Sequence, residues 1–244
     1  MEPKHKVHNL IILDESGSMS SIKPSIINGF NELVESIKGI QKQFPEQEHC
    51  ISMVSFNGFG TKVLHFIDDV SKLNKINSEN YKPASMTPLY DAMGFSFSKM
   101  QKVLESTNDY NVLVTILTDG EENASKEYSG IAIKKMIEEL SEGNWTFTYI
   151  GTDHDVEKFA SNMSIKNSMV FDKNSDGIKA MFKNDYNSRV RFSRNISEKK
   201  EFKENYFKRH ERVFNEEEKS EPIPNPNPKR LSFWDILTGK NKFK

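Results

Sequence analysis

The sequence predicts an α/β domain: an open, mostly parallel sheet with one antiparallel edge strand and helices on both faces, followed by a C-terminal helical or disordered tail. Three observations carry this. Two continuous apolar runs, Val7 to Leu13 and Asn111 to Leu117, are of the kind found in parallel strands buried on both faces. Each run ends abruptly in a polar loop. Strand and helix signals then alternate along roughly the first 190 residues, which builds one sheet with crossover helices.

Taken in order, the first run (VHNLIIL) leads into Asp14-Glu15-Ser16-Gly17-Ser18, and from Ile22 apolar residues recur at Ile26, Ile27, Phe30, Leu33, Val34, Ile37 and Ile40 with helical period. Cys50 to Phe56 and Thr61 to Ile67 flank the turn-rich Asn57-Gly58-Phe59-Gly60, so they pair as an antiparallel hairpin. Pro88 fits the first position of a helix carrying Leu89, Ala92, Met93, Phe95, Phe97, Met100, Val103 and Leu104. The second buried strand follows and ends in Thr118-Asp119-Gly120-Glu121-Glu122-Asn123. A helix over Gly130 to Leu140, a strand Trp145 to Ile150, a helix from Asp155 to about Met163, a short strand Ser168 to Phe171 and a last helix from Asp176 to about Arg191 complete the alternation. The resulting division is a domain over 6–191, a charged, helical extension over 192–220, and a Pro-rich linker with a short apolar terminal motif over 221–244. Four prolines between Glu221 and Pro228 keep that linker extended.

Composition narrows the function. A chain of 244 residues can bury roughly 70% of its unfolded surface. With 36% hydrophobic and 28% charged residues it belongs among ordinary soluble globular proteins. Residues 189–244 hold 15 Lys/Arg against 9 Asp/Glu, which makes the tail about +6 and the body about −7. An acidic body argues against nucleic-acid binding by the main domain. The single Cys50 allows neither an internal disulfide nor a thiolate metal site. No signal-type or membrane-spanning apolar stretch is seen, so the expected location is the cytoplasm.

The chemistry is concentrated at strand ends. Asp14 and Asp119 both close buried strands, and in open α/β sheets the ligand crevice lies beyond the strands' carboxyl ends. Ser16 and Ser18 sit at alternate positions of the first loop, and Thr87 comes from Met86-Thr87-Pro88-Leu89-Tyr90. All five are hard oxygen donors, which suits Mg²⁺ or Mn²⁺ and disfavours zinc.

This set, Asp14-x-Ser16-x-Ser18, then Thr87, then Asp119, resembles the metal-ion-dependent adhesion site of the von Willebrand factor A-like domains, over roughly residues 6 to 190. The resemblance implies a Rossmann-like sheet and a bound Mg²⁺ (or Mn²⁺ or Ca²⁺) ligated by Asp14, Ser16, Ser18, Thr87 and Asp119. It also implies a stand-alone intracellular module that works within a multi-protein assembly, where a partner's Asp or Glu completes the metal's coordination. Two carboxylates leave a divalent ion with open positions, which such an acidic group would fill.

An enzyme is the main competitor. The strand end at Asp14, with Thr118 and the stretch Gly151 to Asp155, has a faint likeness to haloacid-dehalogenase-type phosphohydrolases. That chemistry needs a general acid two residues after the nucleophile, where Ser16 stands. No Gly-x-Ser-x-Gly elbow or phosphate loop is present, so no catalytic residue is assigned. Asp172 to Gly177 begins like a calcium loop but has Lys183 where a bidentate Glu is required, and reads instead as a strand-to-helix turn. Asn144-Trp145-Thr146 fits a glycosylation sequon and is read as the entry to a strand. His5 and His8 are read as a mobile N-terminus, and Glu121 and Glu122 as solvated loop charges. Ser85 competes with Thr87 as the third-segment hydroxyl; Thr87 is preferred as the helix N-cap. Leu231 to Leu237, with Phe233 and Trp234, either folds back on the body or binds a partner.

Overall fold

The computed structural model describes residues 3–200 and 205–207. A central six-stranded sheet has the order β3-β2-β1-β4-β5-β6, formed by β1 (His5–Asp14), β2 (Gln47–Asn57), β3 (Gly60–Asp69), β4 (Tyr110–Leu117), β5 (Trp145–Gly151) and β6 (Asn167–Val170). All neighbours are parallel except β2 and β3, whose hairpin places the antiparallel strand at the edge. The expected sheet is therefore the observed one.

The helices are α1 (Lys23–Gln43), α2 (Leu89–Leu104), α3 (Gly130–Glu142), α4 (Val156–Asn162) and α5 (Ser175–Ser197). Alternation along the strands decides which face each covers. Leu10 and Ile12 of β1 join Leu89, Met93, Phe97, Ile133, Ile137 and Ala160 from α2, α3 and α4. Ile11 and Leu13 join Ile26, Phe30, Leu33, Ile178 and Met181 from α1 and α5. Helices on both faces leave the strand ends open to a ligand.

Strand order fixes where that opening falls. The connections from β1 run to β2 on one side, while β4, β5 and β6 extend on the other, so the order switches direction between β1 and β4. A crevice forms at such a switch point. Asp14 ends β1 and Asp119 follows β4.

Four readings of the sequence need correction. His5 and His8 are not a mobile terminus: both lie within β1, which starts earlier than expected because residues 5–14 pair with β2 along their whole length. His8 is 2% exposed. The last helix does not stop near Arg191 but runs to Ser197, so the expected boundary at 191/192 falls inside α5. Its final turns are held by Phe192, buried with Val7, Leu113 and Tyr206, and by Gln47, whose Nε2 donates to the Ser193 carbonyl at 2.8 Å and to Ser197 Oγ at 2.9 Å. Tyr206, within the charged extension expected over 192–220, is buried and donates its hydroxyl to Asp185 at 3.1 Å. Thr87 is also not the cap of α2, since Pro88 holds that position. The Pro-rich segment, the Leu231 to Leu237 motif and the rest of the charged extension lie outside the described residues.

Behind the site, a buried ion pair ties α5 to the sheet. Arg189 donates to Asp185 at 2.8 Å, to Asn9 Oδ1 at 2.8 Å and to Thr115 Oγ1 at 2.7 Å, so each nitrogen of the buried guanidinium has an acceptor.

Candidate metal centre

Asp14 is wholly buried at the carboxyl end of β1. Its Oδ1 accepts from the Ser16 N–H at 2.6 Å and its Oδ2 from Thr118 Oγ1 at 2.6 Å. Burial pushes this carboxyl up to about 6, with the Asp119 charge acting in the same direction, against the two hydrogen bonds. A buried carboxylate that costs the fold energy is what a cation would relieve.

The loop after β1 is anchored before any ligand is considered. Glu15 donates its N–H to the Phe56 carbonyl at 2.8 Å, and its buried carboxylate meets Lys62 Nζ at 3.2 Å and accepts from the Lys82 N–H. Gly17 donates to the Ser85 carbonyl at 3.0 Å, and Tyr81 donates its hydroxyl to the Asp14 carbonyl at 2.8 Å. Ser85 itself adopts a left-handed backbone, with φ of 67°, and its side chain is exposed. Residues 81–85 thus form the outer wall of the loop.

Ser16, Ser18, Thr87 and Asp119 converge inside that wall. Ser16 Oγ lies 3.1 Å from Ser18 Oγ, and Ser18 Oγ donates to Asp119 Oδ1 at 2.6 Å. Thr87 is buried; its N–H donates to Asn123 Oδ1 at 2.9 Å and its carbonyl accepts from the Asn123 N–H at 3.2 Å. Gly120 shows how closely the segments approach: a Cβ there would stand 3.8 Å from both Ser18 Oγ and Thr87 Oγ1. A side chain at 120 would fill the cradle. The structure therefore brings together all five residues singled out in the sequence.

Their hydroxyls are not consumed by helix capping. Ser16 precedes a short 3-10 helix over Gly17–Ile22 but its side chain makes no capping bond, and α2 is capped by Pro88 rather than Thr87. Two carboxylates and three hydroxyls from three segments make a hard-oxygen donor set that fits Mg²⁺. Asp14, Ser16, Ser18, Thr87 and Asp119 are the residues that would hold it.

Several members of the site were not singled out. Thr118 orients Asp14, and its place next to Asp119 at the end of β4 was the available signal. Glu122, read as a solvated charge, is a structural anchor: its carboxylate accepts from the N–H groups of Tyr90, Ala124 and Ser125 at 2.7–2.9 Å and from Ser125 Oγ at 2.7 Å. It thereby locks the 120–125 loop to the start of α2. Glu121 is exposed, as expected. Lys173, in the turn between β6 and α5, places Nζ 2.8 Å from Asp119 Oδ2 and 2.9 Å from Asp153 Oδ2. Nothing in the sequence pattern pointed to it. That turn is otherwise the strand-to-helix connection expected for 172–177, with Asn174 accepting from the Gly177 N–H at 2.8 Å.

The sequence model described as "von Willebrand factor type A domain" matches residues 10–184. Solved structures with the same fold include a variant of the PilB minor pilin from Streptococcus sanguinis (11% identity, TM-score 0.54, covering 81% of this chain and 64% of that one). The pilus adhesin SpaC from Lactobacillus rhamnosus GG matches at 13% identity and TM-score 0.57, over 78% of this chain and 31% of that one. The vWF domain of the type V pili tip protein Mfa5 from Porphyromonas gingivalis matches at 10% identity and TM-score 0.53, over 82% and 98%. The chain thus spans under two thirds of the length of the first two. No curated protein sequence matches it. Among the described residues no helix is long and apolar enough to cross a membrane.

Proposed function

The chain belongs to the von Willebrand factor type A domain family, and from that premise we propose that it is a divalent-cation-dependent protein-interaction module. In this reading Mg²⁺, or Mn²⁺ or Ca²⁺, is held by Asp14, Ser16, Ser18, Thr87 and Asp119, and an Asp or Glu of a partner protein completes its coordination. The observation that carries the proposal is the convergence of three hydroxyls, none used as a cap, on two buried carboxylates at the switch point of the sheet. When bound, the ion supplies Lewis-acid attraction for the partner's carboxylate. The chain's own residues do the positioning: Thr118 and the Ser16 N–H orient Asp14, Asn123 accepts from the Thr87 N–H, and Glu122 accepts from the Tyr90 N–H at the start of α2.

The reading assigns no catalytic residue. A phosphohydrolase of the haloacid-dehalogenase type would need a general acid two residues after Asp14, where Ser16 stands and cannot serve. The proposal places the module in the cytoplasm within a multi-protein assembly. The buried Cys50 thiol, pushed up to about 11 mainly by burial, stays protonated and unreactive.

The test is capture on immobilised full-length chain. Proteins retained in Mg²⁺ should be released by a chelator and absent from Thr87→Ala and Asp119→Ala beads. Retention indifferent to chelator and to both substitutions would refute a metal-mediated contact.

A further inference from the structure

Asp119 presents its two oxygens to different groups. Oδ1 accepts from Ser18, whereas Oδ2 is buried and, among the described residues, meets the Lys173 ammonium at 2.8 Å. The Asp119 side chain has no exposure and Lys173 keeps 23%, so the ammonium closes the carboxylate from the solvent side. Its other contact is Asp153, 2.9 Å away and 53% exposed. The lysine thus bridges a buried carboxylate of the donor set and an outer carboxylate beyond it.

Three features make this more than a surface ion pair. First, the sheet order separates β6 from β4 by β5, so the turn at 173 reaches Asp119 only across the loop that carries Asp153. Asp153 holds a left-handed backbone at φ 61°, a conformation uncommon for a non-glycine residue. Second, a lysine ammonium is a compact point charge on a flexible four-carbon stem, suited to sit on one carboxylate and swing to another. Third, a divalent ion held by Asp119 and Ser18 would lie a few ångströms from an ammonium on the same carboxylate, and two cations at that distance repel strongly.

We infer that Lys173 is a tethered cation that occupies the site in the metal-free chain and yields Asp119 to the incoming ion by moving onto Asp153, so that it sets the metal concentration at which the site becomes competent. The inference rests on the metal reading above and adds the residue that controls it. A partner carboxylate then meets a completed cation site only once the lysine has moved. If the ammonium holds the site nine-tenths of the time, the apparent affinity for metal is about tenfold weaker than the intrinsic one.

The experiment is calorimetric titration of the full chain with Mg²⁺, comparing wild type, Lys173→Gln and Lys173→Met, with Asp119→Asn as the chain lacking the site. The glutamine and methionine variants should bind Mg²⁺ about tenfold more tightly than wild type. Equal or weaker binding would overturn the role of Lys173 while leaving the metal reading intact. Absence of Mg²⁺ binding in all four chains would overturn both. A second measurement needs no substitution: acylation of Lys173 in the wild-type chain by an amine-reactive ester, read by peptide mass spectrometry. Its rate should rise severalfold on adding Mg²⁺, as the amine leaves Asp119 for the exposed Asp153. Unchanged reactivity in a chain that calorimetry shows to bind Mg²⁺ would also overturn it.

Discussion

Acidification should destabilise this domain through two buried imidazoles, and His8 is the simpler one to perturb. Its ring is buried and, among the described residues, neither nitrogen has a hydrogen-bond partner. Burial first, then the charges of Lys6 and His5, hold it down at about 4. His49 is held at about 4 by burial and by the Arg189 guanidinium. Between the unfolded value near 6.5 and the folded value, the unfolded chain binds a proton that the folded chain refuses. Stability is therefore complete above about pH 6.5 and lost as pH falls toward 4. At about 1.36 kcal/mol per pKa unit, each histidine removes about 2 kcal/mol between pH 7 and pH 5. His8→Leu should abolish its share, so the variant should lose about 2 kcal/mol less than wild type over that interval. At pH 7 it should be about 1 kcal/mol more stable, since an unsatisfied buried polar ring is gone. Asp14, raised to about 6, acts with the opposite sign, but it is common to both chains and cancels in the difference. Urea unfolding followed by circular dichroism at pH 7 and pH 5, in chelator, gives the comparison. Equal losses in the two chains would refute the argument that a neutral imidazole at position 8 links folding to pH.

Glu122→Ala should cost about 2–3 kcal/mol in urea unfolding, because it strands three backbone N–H groups, and should also weaken Mg²⁺ binding as the 120–125 loop loosens. Arg189→Met should cost about 3–5 kcal/mol by leaving Asp185 buried without its cation, while the Mg²⁺-dependent stabilisation of whatever remains folded stays near that of wild type. Thr87→Ala should reduce partner capture far more than Ser85→Ala, since Thr87 Oγ1 faces the cradle at Gly120 and the Ser85 side chain is exposed; the reverse order would mean that the wrong hydroxyl has been placed in the site.

Much of this was legible because it depends on local patterns. The runs ending at Leu13 and Leu117 announced parallel buried strands, and Asn57-Gly58 announced the hairpin that puts β3 at the edge. Asp14, Ser16 and Ser18 lie in one short loop, so their proximity needed no tertiary reasoning. Thr87 and Asp119 followed once both strands were placed at one crevice. What stayed hidden depends on approaches between distant segments. Lys173 reaches Asp119 only because β5 and β6 follow β4 in the sheet, an order that no residue spacing encodes. Glu122 looked like a loop charge because its acceptor role is spent on backbone N–H groups, which carry no side-chain signature. His8 falls inside the run Val7 to Leu13, and pairing of β1 with β2 from residue 5 onward, which the polar start of the chain did not announce, buries it. Tyr206 stands amid charges in the sequence, and its burial comes from packing with Val7, Leu113 and Phe192 and from its bond to the Asp185 carboxylate.

The central claim, a divalent-cation site built from Asp14, Ser16, Ser18, Thr87 and Asp119, is tested most directly by the metal dependence of stability. Unfolding of the full chain should be opposed by Mg²⁺ by about 2.7 kcal/mol at a hundredfold excess over the dissociation constant. Asp119→Ala should remove that increment while leaving the metal-free chain folded. A Mg²⁺ increment that survives in Asp119→Ala, or that is absent from the wild-type chain up to millimolar metal, would contradict it.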